Sequence, residues 1–198
     1  MRIGIFGGTF DPVHYGHLLL AEQCREQLEL DAVWLMPAAV PPHKQRVGIS
    51  DAKHRVAMLE LAAAGHPPFQ VSRLELERGG TSFTVDTLSA LHAEAPDREL
   101  VLLIGADSLT DLSTWREPQR ILELSQVAAV NRGRQMIDLA EIHQSIPGAA
   151  GRIVSVAMPA VDLSATDIRA RVAAGRSIRF MVPRAVEEYI RQHGLYRR

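Results

Sequence analysis

Ile3-Gly4-Ile5-Phe6-Gly7-Gly8-Thr9-Phe10-Asp11-Pro12-Val13-His14-Tyr15-Gly16-His17 is the stretch on which the fold turns. Ile3–Phe6 is a short run with no polar side chain, which suits a strand covered on both faces of a parallel sheet. Two glycines follow it directly. A helix then opens near Tyr15 or Gly16, because Leu20, Ala21, Cys24 and Leu28 form one apolar stripe with Glu22, Gln23 and Glu26 opposite. A strand, a glycine pair and a helix in this order read as the first unit of an α/β sheet.

The rest of the chain repeats the alternation. Further apolar runs are Ala32–Met36, Phe69–Val71, Leu100–Ile104, Val127–Val130 and Ile153–Val156. Between them, Ser50-Asp51 can cap a helix that runs through Val56, Leu59 and Leu61 and stops near Gly65. Other helices are expected near Thr84–Ala95, Pro118–Leu124, Ile137–Ser145 and Thr166–Ala174, and a last one from Pro183 to Gly194. This pattern predicts an α/β, Rossmann-like open parallel sheet with helices on both faces, plus a C-terminal helical segment, in one domain over residues 1–198. Ligands of such sheets sit beyond the C-terminal strand ends, where strand order reverses. The loops after the first strand and after Leu100–Ile104 are therefore the ones to inspect.

Composition narrows the function. The 198 residues are 46% hydrophobic and 23% charged, as in a globular protein, and the net charge is −1. That balance argues against a nucleic-acid partner held by bulk charge, so anion handling must be local. Cys24 is the single cysteine and can form no internal disulfide. No stretch approaches the roughly 20 apolar residues of a membrane helix, and Ile3–Phe6 is too short for a secretory signal. A cytoplasmic protein with no membrane partner is expected; oligomeric state has no readable signal.

In the first loop, Gly7 and Gly8 let backbone N–H groups approach a phosphate, and the helix N-terminus adds free donors. His17 lies on the apolar stripe at the first turn, and His14, three residues earlier, can point at the same spot. Two imidazoles aimed at one place are good donors to phosphate oxygens. Competing readings are a plain tight turn, a structural histidine, or a metal-binding pair. The last lacks a carboxylate at that end of the helix. The G-x-G-x-x-G fingerprint and the Walker pattern are both absent, which disfavours hydride transfer and P-loop chemistry.

These residues, Gly7 to His17, resemble the signature of the His-x-x-His nucleotidyltransferases, and most closely that of the bacterial nicotinate-nucleotide adenylyltransferase family. A second resemblance lies far away: Leu163-Ser164-Ala165-Thr166-Asp167-Ile168-Arg169 is similar to the family's Ile-Ser-Ser-Thr-x-Ile-Arg, with leucine and alanine at two positions. Ser164 can also cap a helix, and Thr166 and Arg169 would then make a second anion site. Ile104-Gly105-Ala106-Asp107-Ser108 resembles the family's Gly-x-Asp beside the nucleotide; Gly105 permits close approach and Asp107 can accept a hydrogen bond. Pro41-Pro42-His43-Lys44, with Arg46, resembles a family loop that would close Lys44 over the triphosphate. Gly79–Leu88, with Thr84 as helix N-cap, and Leu112-Ser113-Thr114-Trp115-Arg116 resemble acceptor segments. Thr84 would receive a carboxylate and Trp115 would stack on a flat ring. Arg132, after Val127–Val130, can reach phosphate.

The resemblance implies transfer of AMP from ATP to nicotinate mononucleotide, giving nicotinate adenine dinucleotide and pyrophosphate. His14, His17 and Arg169 would be catalytic. Gly7, Gly8, Thr9, Phe10, Lys44, Gly105, Asp107, Ser164 and Thr166 would hold ATP, and Thr84, Trp115 and Arg132 the acceptor. Mg²⁺ would ride on the ATP phosphates with no protein ligand assigned. Alternatives are nicotinamide mononucleotide or phosphopantetheine as acceptor, or a nucleotide-sensing module without catalysis.

Overall fold

Ile3–Phe6 lies in the central strand, β1 (Arg2–Gly8), of a computed structural model whose described residues are 1–41, 48–132, 142, 146 and 148–197. β1 pairs in parallel with β2 (Ala32–Pro37) on one side and β4 (Glu99–Gly105) on the other, so that Ile3 faces both Ala32 and Leu100. β3 (Phe69–Val71) lies outside β2, and β5 (Gln126–Arg132) and β6 (Ile153–Met158) lie outside β4. The order is β3-β2-β1-β4-β5-β6, with every pairing parallel. All six expected strands are present, and the strand order reverses between β1 and β4, the crevice in which sheets of this kind hold ligands.

The apolar runs are continuous because successive side chains enter two separate cores. On β4, Val101 and Leu103 pack into one, while Leu100, Leu102 and Ile104 pack into the other. The first core is covered by α1 (Tyr15–Gln27), α2 (Ala52–Ala63), α7 (Ala165–Ala173) and α8 (Arg184–Gln192), through Ala21, Cys24, Met58, Leu59, Ile168, Val186 and Ile190. The second is covered by α4 (Thr84–Glu94) and α6 (Pro118–Leu124), through Val85, Leu88, Leu91, Ile121 and Leu122. Cys24 is fully buried in the first core, and burial pushes its thiol up to about 12, which keeps it neutral. No helix among the described residues is long and apolar enough to cross a membrane.

Local signals act as expected at two helix starts. The Asp51 carboxylate accepts from the Lys53 backbone N–H at 3.0 Å, and Ser164 Oγ accepts from that of Asp167 at 3.0 Å. Three expectations need correction. Gly7 and Gly8 are the last residues of β1, paired with Met36 and Pro37, and the left-handed turn falls on Phe10 (φ 50°). Thr84 is the first residue of α4, whose N-cap is Phe83, so its hydroxyl does not cap the helix. Two short helices, α3 (Leu74–Arg78) and α5 (Ala106–Thr110), stand where no helix was expected, because one turn is too short to show a period. The expected helix Ile137–Ser145 lies outside the described residues apart from Ile142.

Candidate active site

Two cavities open at the C-terminal end of the sheet, and the segment from Gly7 to His17 lines both. The smaller, about 280 Å³, lies where the start of α1 meets the start of α7. His14, His17, Ser164, Thr166 and Arg169 all line it. The two distant sequence signatures therefore meet in one place.

The histidines are placed by the backbone. His14 is the N-cap of α1, in an extended conformation, and His17 sits one turn into the helix. The His17 ring also packs edge-on against Phe10, with centroids 5.1 Å apart. Gly16 lies close under the neighbouring ring: a Cβ there would meet His14 Nδ1 and Cε1 at 3.1 Å, a tight contact. Arg169 is aimed from α7 by two bonds: Nη1 donates to the Asp11 carbonyl at 2.8 Å, and Nη2 to Thr166 Oγ1 at 3.3 Å. Imidazoles, hydroxyls and a guanidinium line this cavity, and among the described residues no carboxylate does. That set suits a polyphosphate.

The larger cavity, about 590 Å³, lies beside the switch point between β1 and β4. Gly7, Gly8, Thr9, Gly105, Thr84 and Trp115 line it. A Cβ on Gly7 would meet nothing within 4 Å, so this strand end is open, whereas a Cβ on Gly8 would crowd the Phe10 ring at 3.0 Å. Phe10 itself is 2% exposed and packs into the core, so its side chain is not part of the cavity. Asp107 is exposed in the first turn of α5 and is absent from the lining, where Ser108 takes its place. Trp115 is partly buried against the second core with its surface on the cavity. Lys44 and Arg46 lie outside the described residues, as does the side chain of Arg132.

Three residues of the larger cavity were given no individual role from the sequence. Arg116 lies with its guanidinium carbon 5.0 Å from the centre of the Phe83 ring and 3.4 Å from the Asp86 carboxylate, measured from Nη1. Its place directly after Trp115 was the available signal. Ser82 is buried and accepts the Ala39 N–H at 2.9 Å, fixing the loop opposite. Glu75 is a buried carboxylate that accepts the Thr87 hydroxyl at 2.7 Å. It sits on α3, the helix the sequence did not reveal.

Two sites of this chemistry on a parallel sheet of this order narrow the relatives. The family model described as cytidylyltransferase-like matches residues 5–171. Over 196 residues the chain is 50% identical to a protein of Thermomicrobium roseum named probable nicotinate-nucleotide adenylyltransferase, covering 99% of this chain and 92% of that one. The chain belongs to the nicotinate-nucleotide adenylyltransferase family. A family member of the same name from Thermus thermophilus is 47% identical over the full length of both chains. The fold is also that of nicotinic acid mononucleotide adenylyltransferase of Plasmodium falciparum, solved in complex with APC. That structure has a TM-score of 0.81 at 18% identity and covers 98% of this chain and 96% of that one.

Proposed function

We propose that this chain, as a single nucleotidyltransferase domain over residues 1–198, transfers the AMP portion of ATP to nicotinate mononucleotide. The products are nicotinate adenine dinucleotide and pyrophosphate, in cytoplasmic NAD biosynthesis. The observation that carries the reading is the meeting of His14 and His17 with Ser164, Thr166 and Arg169 in one cavity rich in hydrogen-bond donors for an anion, beside a larger one walled by Trp115.

The acceptor's own phosphate is the nucleophile and is already anionic at neutral pH. Its oxygen forms a bond to the α-phosphorus of ATP, and the bond from that phosphorus to the bridging oxygen of pyrophosphate breaks. No proton need be removed by the protein. Catalysis is then positioning and charge stabilisation. His14 and His17 donate to the phosphate oxygens. Arg169, Ser164 and Thr166 hold the departing pyrophosphate, and Lys44 and Arg132 add charge to it and to the acceptor. The edges of Gly7, Gly8, Thr9, Phe10 and Gly105 take the nucleotide by backbone, with Asp107 at the rim.

Thr84 at the start of α4 offers N–H donors to a carboxylate, and Trp115 offers a flat face to the pyridine ring. Among the described residues no group of three or more His, Cys, Asp or Glu could hold a metal, and the phosphate cavity has no carboxylate in its lining. Mg²⁺ carried on the ATP phosphates would neutralise phosphate charge when bound. The test is pyrophosphate release with ATP and Mg²⁺, comparing nicotinate mononucleotide, its amide and phosphopantetheine. Strong preference for the first is expected. Equal use of acid and amide would remove the acceptor assignment, and no release with any acceptor would remove the enzyme.

A further inference from the structure

The C-terminal segment reaches back to the loop that carries the histidines. The Tyr196 hydroxyl donates to Asp11 Oδ1 at 2.5 Å, across 185 residues of sequence. Asp11 is 2% exposed. Its other oxygen, Oδ2, accepts the Ser50 N–H at 3.0 Å, and its main-chain carbonyl accepts Arg169 Nη1. Arg55, also 2% exposed, supports the same loop: Nε donates to the Ser50 carbonyl at 3.1 Å and Nη1 to the Thr9 carbonyl at 3.0 Å. We infer that Tyr196 and Asp11 are positioning residues for adenylyl transfer: the hydroxyl, through the carboxylate, fixes the loop whose carbonyl aims Arg169 and which runs on into His14.

The C-terminal segment is also anchored by apolar contacts. Val186 and Ile190 already bury α8 in the first core. A phenylalanine at 196 would keep the ring's packing, so the hydroxyl answers to something other than burial of apolar surface. A buried carboxylate is costly unless every lone pair is used, and Asp11 is served from Ser50 and Tyr196 with the Arg55 charge nearby. Burial and then the Asp11 charge drive the Tyr196 hydroxyl far above its ordinary pKa, so it is a permanent donor. Tyr196 itself has left-handed backbone, φ 64°, and so does Phe10, φ 50°, the residue before Asp11, a conformation that non-glycine residues rarely adopt. Such geometry persists where the surroundings over-determine it, and it concentrates at functional sites.

The inference rests on the proposed adenylyl transfer. The larger cavity, where the acceptor base is placed, makes no contact with the Tyr196–Asp11 pair in its lining. Tyr196→Phe in the full-length enzyme should therefore lower kcat about tenfold, with KM for nicotinate mononucleotide within about twofold of wild type. Tyr189→Phe is the control. It removes another C-terminal tyrosine hydroxyl, 2.9 Å from His54 Nδ1, and should move the melting temperature comparably while leaving kcat unchanged. Wild-type kcat in Tyr196→Phe, or an equal loss in both variants, would overturn the inference. A wild-type enzyme inactive with every acceptor would overturn the functional reading first and this inference with it.

Discussion

The His14 backbone N–H donates to Nδ1 of His17 at 3.2 Å, and the two rings stack with centroids 3.7 Å apart. A main-chain N–H can only donate, so Nδ1 of His17 supplies the lone pair and the ring proton sits on Nε2. The first turn of α1 thus sets both the orientation and the tautomer of a ring that lines the phosphate cavity. His17→Ala removes a preorganised donor without opening the core, since the residue is only half-buried. Turnover should fall about 100- to 1,000-fold, with the far-ultraviolet spectrum unchanged. Steady-state pyrophosphate release and circular dichroism on the same preparation test this; near-normal turnover would remove His17 from the reaction.

Trp115 and Arg116 both face the larger cavity, but they should not matter equally. Trp115 is backed by the second core, so its face is held rigidly for stacking. Arg116 is half-exposed and shared among Phe83, Asp86 and Glu117. Trp115→Ala should raise KM for nicotinate mononucleotide about tenfold, the equivalent of a stacking contact of about 1.4 kcal/mol, and leave KM for ATP unchanged. Arg116→Ala should change the acceptor KM less than about threefold. Kinetics with each substrate varied in turn would show it; a reversed ranking would move the acceptor's recognition from the ring to its charge.

These contrasts show what the sequence could and could not carry. The six strands were legible because residues buried on both faces leave continuous apolar runs such as Leu100–Ile104. His14, His17, Ser164, Thr166 and Arg169 were legible because each belongs to a compact motif at a helix start, and the topology brings those starts together. Arg55 was not. On α2 it looks like any solvated arginine, and only the structure shows it 2% exposed beneath Thr9 and Ser50. Asp11 was quoted within the motif but had no partner in view, because its partner Tyr196 lies at the far end of the chain. That Glu75 is buried and Asp107 exposed was not legible for a shared reason: each sits on a helix of five residues, too short for a period to show which way a side chain faces.

Glu22 on α1 binds Arg25 at 2.6 Å and His66 at 2.9 Å. The Arg25 hydrogen bond, with help from His66, holds its carboxyl below the usual glutamate range. A carboxylate depressed in the folded state stabilises fully above its unfolded pKa, and the contribution is lost as pH falls toward the folded value. Glu22→Gln should therefore lower the melting temperature slightly at pH 7 and less at pH 4, where the wild type has lost part of the same contribution. Melting curves across that range would measure it. An equal difference at both values would mean that the pair does not couple folding to protons, and the partial exposure of both side chains keeps the effect small.

Ser164 serves two roles that substitution can separate. Its Oγ caps α7 through the Asp167 N–H, and the same residue lines the phosphate cavity. Ser164→Ala loses the cap and should cost about 1 kcal/mol of stability. Ser164→Asp keeps a good cap and adds a negative charge at a helix N-terminus, so stability should be retained or slightly improved. That charge, however, stands in the cavity with His14, His17 and Arg169, where it would compete for the donors and repel a triphosphate. The aspartate variant should thus be as stable as wild type and bind ATP at least tenfold more weakly, about 1.4 kcal/mol. Denaturant melts paired with the ATP dependence of turnover decide it. Unchanged ATP binding in the aspartate variant would mean that the polyphosphate lies elsewhere, and that the start of α7 is a helix cap alone.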